Sequence, residues 1–160
     1  MNSLKWRRDL FQPEKRVNFT ELNEKWDIAE EQFVDVLIPV FNQVIDRLIN
    51  DIRILLEKED YTALKEIKVG YKDKLVNAIK QQLYDAYLIG RKGVYKEFSI
   101  DKELKMSNIT KEYFNLKAEI ITISILDKIK ERTLFIVISG INSGKKIDEI
   151  VFDVKGKLNQ

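Results

Sequence analysis

Apolar residues recur every three or four positions through most of this chain, and that spacing constrains the fold more than any other feature. It places apolar side chains on one face of an α-helix, whereas a half-buried strand would need strict alternation. Only two Pro and six Gly occur in 160 residues, so long helices can form. We therefore predict an all-α fold, an elongated bundle of about four to five helices.

The same pattern suggests the domain organisation. We interpret residues 1–17 as an extended N-terminal arm and residues 18–160 as a single helical domain. Because the segment from Phe98 to Asn108 is mostly polar, it reads as a loop. Two lobes, 18–98 and 109–160, therefore stay open as a finer division of the domain.

In the first half of the chain, Asn18 and Glu21 have the spacing of a capping box, so the first helix is predicted to begin there. Its apolar stripe continues to about Lys58. Pro39 interrupts this stripe and should kink the helix or start a new one. Another long helix is expected from about Tyr71.

In the second half, a helix is predicted from about Lys111 to Ser139, capped by Asn108 or Thr110. Strand stays open as an alternative for Leu134–Ser139, because β-branched residues are frequent there. A last helix, with Ser143 as its N-cap, should carry the apolar residues between positions 147 and 158.

Composition narrows the classes of function. The chain has 28 basic and 26 acidic residues, a balance that does not indicate a general nucleic-acid binder. It contains no His and no Cys, which removes thiol nucleophiles, zinc-finger ligands and the usual general base near neutral pH. An enzyme is therefore the class least expected, and we assign no catalytic residue, cofactor or metal ligand.

Two local motifs have simpler interpretations than a ligand site. The run from Gly140 to Lys146 resembles a phosphate loop, but its glycine spacing is one residue short, and Lys146 replaces the required Ser or Thr. A turn between two helices is the better interpretation. Glu24, Asp27 and Glu31 share one helical face, and this face is interpreted as solvated.

The uncharged stretch Thr133–Gly144 is shorter than the about 20 residues that span a bilayer.

Candidate contact residues combine basic and aromatic side chains. In the arm they could dock on a partner or on nucleic acid, or the arm could pack against its own domain through its aromatic residues. Two further basic residues follow the apolar stripe of the helix expected from about Tyr71. The candidates are Trp6, Arg7, Arg8, Phe11, Lys15, Arg16, Arg91 and Lys92.

The order of short motifs in the second half resembles the N-terminal region of phage minor head proteins, the portal-associated head morphogenesis family. The motifs include Ala86-Tyr-Leu-Ile-Gly90, a helix with a charged middle at residues 127–132, and Gly144-Lys-Lys-Ile-Asp-Glu149-Ile150. The opening segment, residues 10–19, is similar to a stretch in related prophage head proteins. Family members often continue into a further C-terminal region, and no activity of such a region is carried over to this chain.

The resemblance implies a structural protein of a phage or prophage head that docks on the portal protein and on inner capsid proteins. Several copies per particle would be located in the virion, and in the host cytoplasm during assembly, without a membrane. The candidate basic residues would also allow a weak, salt-dependent contact with packaged DNA. The alternatives are a helical domain of a portal or adaptor protein, and a regulatory nucleic-acid-binding helical protein.

Overall fold

A computed structural model describes residues 19–97 and 105–159 of the chain. Its helices are α1 (Phe19–Glu57), α2 (Tyr61–Lys65), α3 (Lys72–Glu97), α4 (Asn108–Asn142) and α5 (Ile147–Leu158). Within these two ranges the backbone forms no strand, which confirms the all-α helical bundle. The predicted arm at residues 1–17 lies outside the described residues.

The strand alternative for Leu134–Ser139 is wrong, because these residues continue α4 without a break. Ile136 and Val137 are buried, and they pack against residues of α1 and α5. Tertiary burial of the two side chains therefore outweighs the weak helix propensity of β-branched residues.

Helix α1 extends over 39 residues and passes through Pro39. The predicted restart at Pro39 is therefore wrong, while a bend at this turn stays a prediction. Proline cannot donate to the carbonyl group of residue 35, but Pro39 is exposed, so water can satisfy that carbonyl group. At the start of α1, Glu21 accepts a hydrogen bond from Lys25 at 2.9 Å, whereas the predicted cap Asn18 lies outside the described residues.

The N-cap of helix α4 lies one residue before the predicted cap Asn108 and three residues before the alternative, Thr110. Ser107 is its N-cap, and its Oγ accepts a hydrogen bond from the backbone N–H of Thr110 at 3.2 Å. Asn108 and Thr110, which the sequence suggested as caps, both lie inside the helix. All three residue types are good caps, so the spacing of cap-forming residues alone could not choose between them.

The turn between α4 and α5 corrects another predicted cap. Ser143 does not begin α5; it ends α4, and its Oγ donates to the carbonyl oxygen of Ser139 at 2.7 Å. Gly144 follows with φ +68°, a conformation that glycine adopts without strain. Helix α5 then begins after Lys146, whose backbone N–H donates to the Glu149 carboxylate at 2.8 Å.

One end of the bundle has a well-filled apolar core. We call it the closed end; it contains the C-terminal halves of α1 and α4, together with α2 and α5. Its buried residues are Leu48, Ile52, Leu56, Leu64, Ile67, Ile136, Val137, Ile150 and Val154. A smaller cluster of Val44, Leu75 and Leu126 joins α1, α3 and α4 next to it. Both clusters contain residues of the two lobes that the sequence left open.

The other end, which we call the open end, is packed around smaller side chains. It contains residues 19–36 of α1, 78–97 of α3 and 108–122 of α4. Among its described side chains, those that are buried are Ile79 and the smaller Ala29, Ala118 and Thr122. Short side chains bury little apolar surface and fill little space, so the helices at this end leave a groove between them.

Candidate binding groove

The groove lies between α1 and α3 at the open end. Its volume is about 470 Å³, within the range of clefts that bind ligands or segments of other molecules. The residues that line it are Ala29, Gln32, Phe33 and Val36 from α1, and Ala78, Gln81, Gln82, Asp85, Leu88, Ile89 and Lys92 from α3.

The apolar part of the groove exists because two of its lining residues are alanines. Ala29 is buried and Ala78 is half-buried, so each helix contributes only a methyl group at these positions. Phe33 is half-buried, while Val36 keeps 55% of its surface exposed. A partner side chain that entered here would cover apolar surface that water now contacts, which favours association.

The polar part of the groove is formed mainly by amides. Gln81 donates from Nε2 to Asp85 Oδ1 at 3.0 Å, which orients both side chains along α3. Gln32 and Gln82 add further amide groups, and an amide can both donate and accept. Lys92 is exposed and lines the same groove. These groups can hydrogen-bond to the backbone of a bound peptide segment, while the side chains of that segment cover the apolar part of the groove.

The sequence-predicted contact residues are placed as follows. Trp6, Arg7, Arg8, Phe11, Lys15 and Arg16 lie outside the described residues. Lys92 lies in the groove. Arg91 donates from its guanidinium to Tyr87 Oη at 2.6 Å, and the guanidinium carbon lies 5.5 Å from the centre of the Tyr87 ring. The two neighbouring basic residues therefore have different surroundings.

An aromatic cluster joins α3 to α4 near the groove. The Phe114 ring lies 5.7 Å from Tyr84 and 5.5 Å from Tyr87, measured between ring centres. Tyr84 Oη also donates to Asn115 Oδ1 at 3.3 Å. At 100° per residue, these tyrosines lie on the other side of α3 from Ala78 and Gln82. These aromatic rings therefore pack α3 against α4 and do not line the groove.

The Gly140–Lys146 segment is a helix-ending turn, as predicted. The backbone N–H groups of Ser143, Gly144 and Lys145 donate to carbonyl oxygens of α4 at 3.0–3.1 Å, so they cannot also hold a phosphate. The Lys145 ammonium group donates to the Asp153 carboxylate at 2.5 Å. This hydrogen bond raises the pKa of Lys145 and lowers the pKa of Asp153.

The acidic face of α1 gives no metal centre in the described part of the chain. Glu24, Asp27 and Glu31 are exposed, and no group of three or more carboxylates in residues 19–97 and 105–159 is placed to hold a metal ion. The same residues include no helix that is long and apolar enough to cross a membrane.

The groove itself was not predicted from the sequence. Its signal would have been a pair of alanines, Ala29 and Ala78, on the apolar stripes of two helices that pack together. That signal becomes specific only when the pairing of α1 with α3 is known, because alanine is common in helices.

Fold and groove together define the chain as an all-α helical bundle with an open groove at one end. No protein-family model, curated protein or solved structure matches it.

Proposed function

We propose that this chain is a docking protein that binds a segment of a partner protein in the groove between α1 and α3. The observation that carries this proposal is the contrast between the two ends of the bundle. The closed end has a filled core, whereas the open end leaves a groove of about 470 Å³ lined by apolar and amide side chains. The proposal includes no catalytic step.

The partners proposed are those that the sequence resemblance implies. They are the portal protein and the inner capsid proteins of a phage or prophage head, with the chain in the virion and, during assembly, in the host cytoplasm. Lys92 at the groove would give such a contact some dependence on salt. A ring of subunits formed by the isolated chain would instead favour the portal or adaptor alternative.

A pair of valines on α1 tests the groove. Val36 lines the groove, whereas Val34 lies on the acidic face beside Glu31 and Asp35. Both side chains are about half exposed, so neither substitution should unfold the helix. Val36→Glu should weaken binding to the proposed portal-protein partner by at least about tenfold, because it places a charge in an apolar contact. Val34→Glu should leave the affinity within about twofold.

The measurement is fluorescence anisotropy with labelled chain and purified portal protein, after circular dichroism has shown that both variants are helical. Equal affinity for Val36→Glu and the unsubstituted chain would remove the groove from the interface. An absence of portal and capsid genes from the neighbourhood, or no binding by the unsubstituted chain, would contradict the phage assignment.

A further inference from the structure

Helix α4 carries a second apolar stripe that the bundle does not cover. Its spacing is four, three, four and three residues, and each side chain keeps between 44% and 80% of its surface exposed. The stripe, which we call the α4 seam, consists of Ile109, Tyr113, Leu116, Ile120 and Ile123.

The seam lies opposite the face that α4 buries in the bundle. Ala118 and Thr122 are fully buried, and at 100° per residue they point about 140–180° away from the middle of the seam. Helix α4 is therefore apolar on two faces. Its own bundle uses one of them, and a surface helix of a globular protein normally has a polar opposite face.

The seam has the spacing of a two-stranded coiled coil. In that arrangement, apolar residues alternate at intervals of four and three residues. Ile120 and Leu116 take the a and d positions with the residue types that favour two strands, whereas isoleucine at the d positions of Ile109 and Ile123 favours more strands. The seam covers 15 residues, about 22 Å of helix at 1.5 Å per residue. Asp127 occupies the next position of the repeat and is exposed, so the apolar contact would end before it.

Charged residues beside the seam favour one relative direction for a pair of α4 helices. Glu112 and Glu119 flank one side, whereas Lys117 flanks the other, and all three are exposed. In a parallel pair, Glu112 of each copy faces Lys117 of the other, because such pairs are separated by five residues. An antiparallel pair would instead bring Glu112 of one copy towards Glu119 of the other, and like charges there oppose association.

We infer that the α4 seam is the interface of a homodimer, in which two copies of this chain form a short, parallel, in-register coiled coil through Ile109–Ile123. Five partly exposed side chains from each copy bury on the order of 1,000 Å², the lower range for a specific interface. The dimer is therefore reversible and concentration-dependent. The α4 seam does not include the groove residues, so an experiment can contradict the dimer without contradicting the proposed docking function.

Sedimentation velocity of the full chain tests the dimer. The unsubstituted chain should change from monomer to dimer between about 5 and about 200 µM. Leu116→Glu should remain a monomer over this range. Phe152→Ser, a control at an exposed apolar residue of α5, should still dimerise. A chain that remains monomeric throughout overturns the inference, and would mean that residues 1–18 or another segment covers the seam. A Leu116→Glu variant that still dimerises overturns it as well.

Charge exchange tests the parallel direction. Glu112→Lys alone or Lys117→Glu alone should weaken the dimer at least about fivefold, whereas the double variant should restore it. Because the chain has no Cys, Ile109→Cys gives a single crosslinking site. An oxidised Ile109→Cys dimer supports the parallel register, since the α-carbon atoms must approach within about 7 Å. A dimer that fails to crosslink at this position overturns it.

Discussion

Two residues beyond the helix ends show how the same backbone turn can cost different amounts of free energy. Gly144 follows α4 with φ +68°, and Glu59 follows α1 with φ +55°. In each turn, the backbone N–H of the residue with positive φ donates to the carbonyl oxygen three residues before it. The N–H of the following residue donates to the carbonyl oxygen five residues before that residue. This is the Schellman motif, which favours glycine at the left-handed position. Glu59 therefore holds a strained conformation, whereas Gly144 does not.

The strain at Glu59 predicts opposite effects for two substitutions. Glu59→Gly should raise the free energy of unfolding by about 0.5–1 kcal/mol, because the left-handed conformation costs a residue with a Cβ about 1–2 kcal/mol and glycine recovers part of it. Gly144→Ala should lower it by a similar amount. Urea unfolding followed by circular dichroism measures both changes.

Glu59→Ala is the control, because it keeps a Cβ atom and removes the carboxylate. It should leave the stability close to that of the unsubstituted chain. If Glu59→Ala stabilises the protein as much as Glu59→Gly, the charge and not the backbone conformation is responsible.

At the scale of elements, the contact between α4 and α5 depends on one small residue. Gly140 is buried in α4, and a Cβ atom at this position would lie 2.6 Å from Ile150 Cγ1. That distance is too short for two carbon atoms, so an added methyl group would push α5 away from the core formed with Ile136 and Val154.

Two glycine-to-alanine substitutions test this contact. Gly140→Ala should lower the free energy of unfolding by about 1–3 kcal/mol, because overpacking forces the helices apart. Gly156→Ala on α5 is the matched control, since a Cβ atom there meets nothing within 4 Å. It should stabilise the protein by about 0.5–1 kcal/mol through helix propensity. Equal stability of Gly140→Ala and the unsubstituted chain would mean that the helices are not in such close contact.

The sequence predicts the helices well because their apolar spacing is regular. Helix α3, expected from about Tyr71, begins at Lys72, and α5 occupies Ile147–Leu158. The caps were predicted less well. The choice among Ser107, Asn108 and Thr110 depends on backbone angles, which residue identity alone does not fix. The predicted restart at Pro39 was wrong for a related reason. This residue is exposed, so water can replace the hydrogen bond that is missing inside α1.

For the whole molecule, the closed end supplies the filled core, and the open end supplies the groove in which we propose that a partner binds. Long apolar side chains such as Leu48 and Ile52 fill the closed end, whereas Ala29 and Ala78 leave the groove open. Neither the groove nor the pairing of α1 with α3 could be predicted from spacing, because both depend on which helices pack together. Of the predicted contact residues in the described part of the chain, Lys92 lines the groove, while Arg91 hydrogen-bonds with Tyr87.

Amide hydrogen exchange, measured with and without the portal protein that we propose as the partner, tests this division most directly. In the free chain, backbone amides around Ile52, Val137 and Val154 should exchange slowest, because they lie in the filled core. Amides of residues 29–36 and 78–92 should exchange faster, and should slow at least about tenfold when the partner is added. Uniform exchange along α1 and α3, or protection by the partner confined to the closed end, would contradict the account.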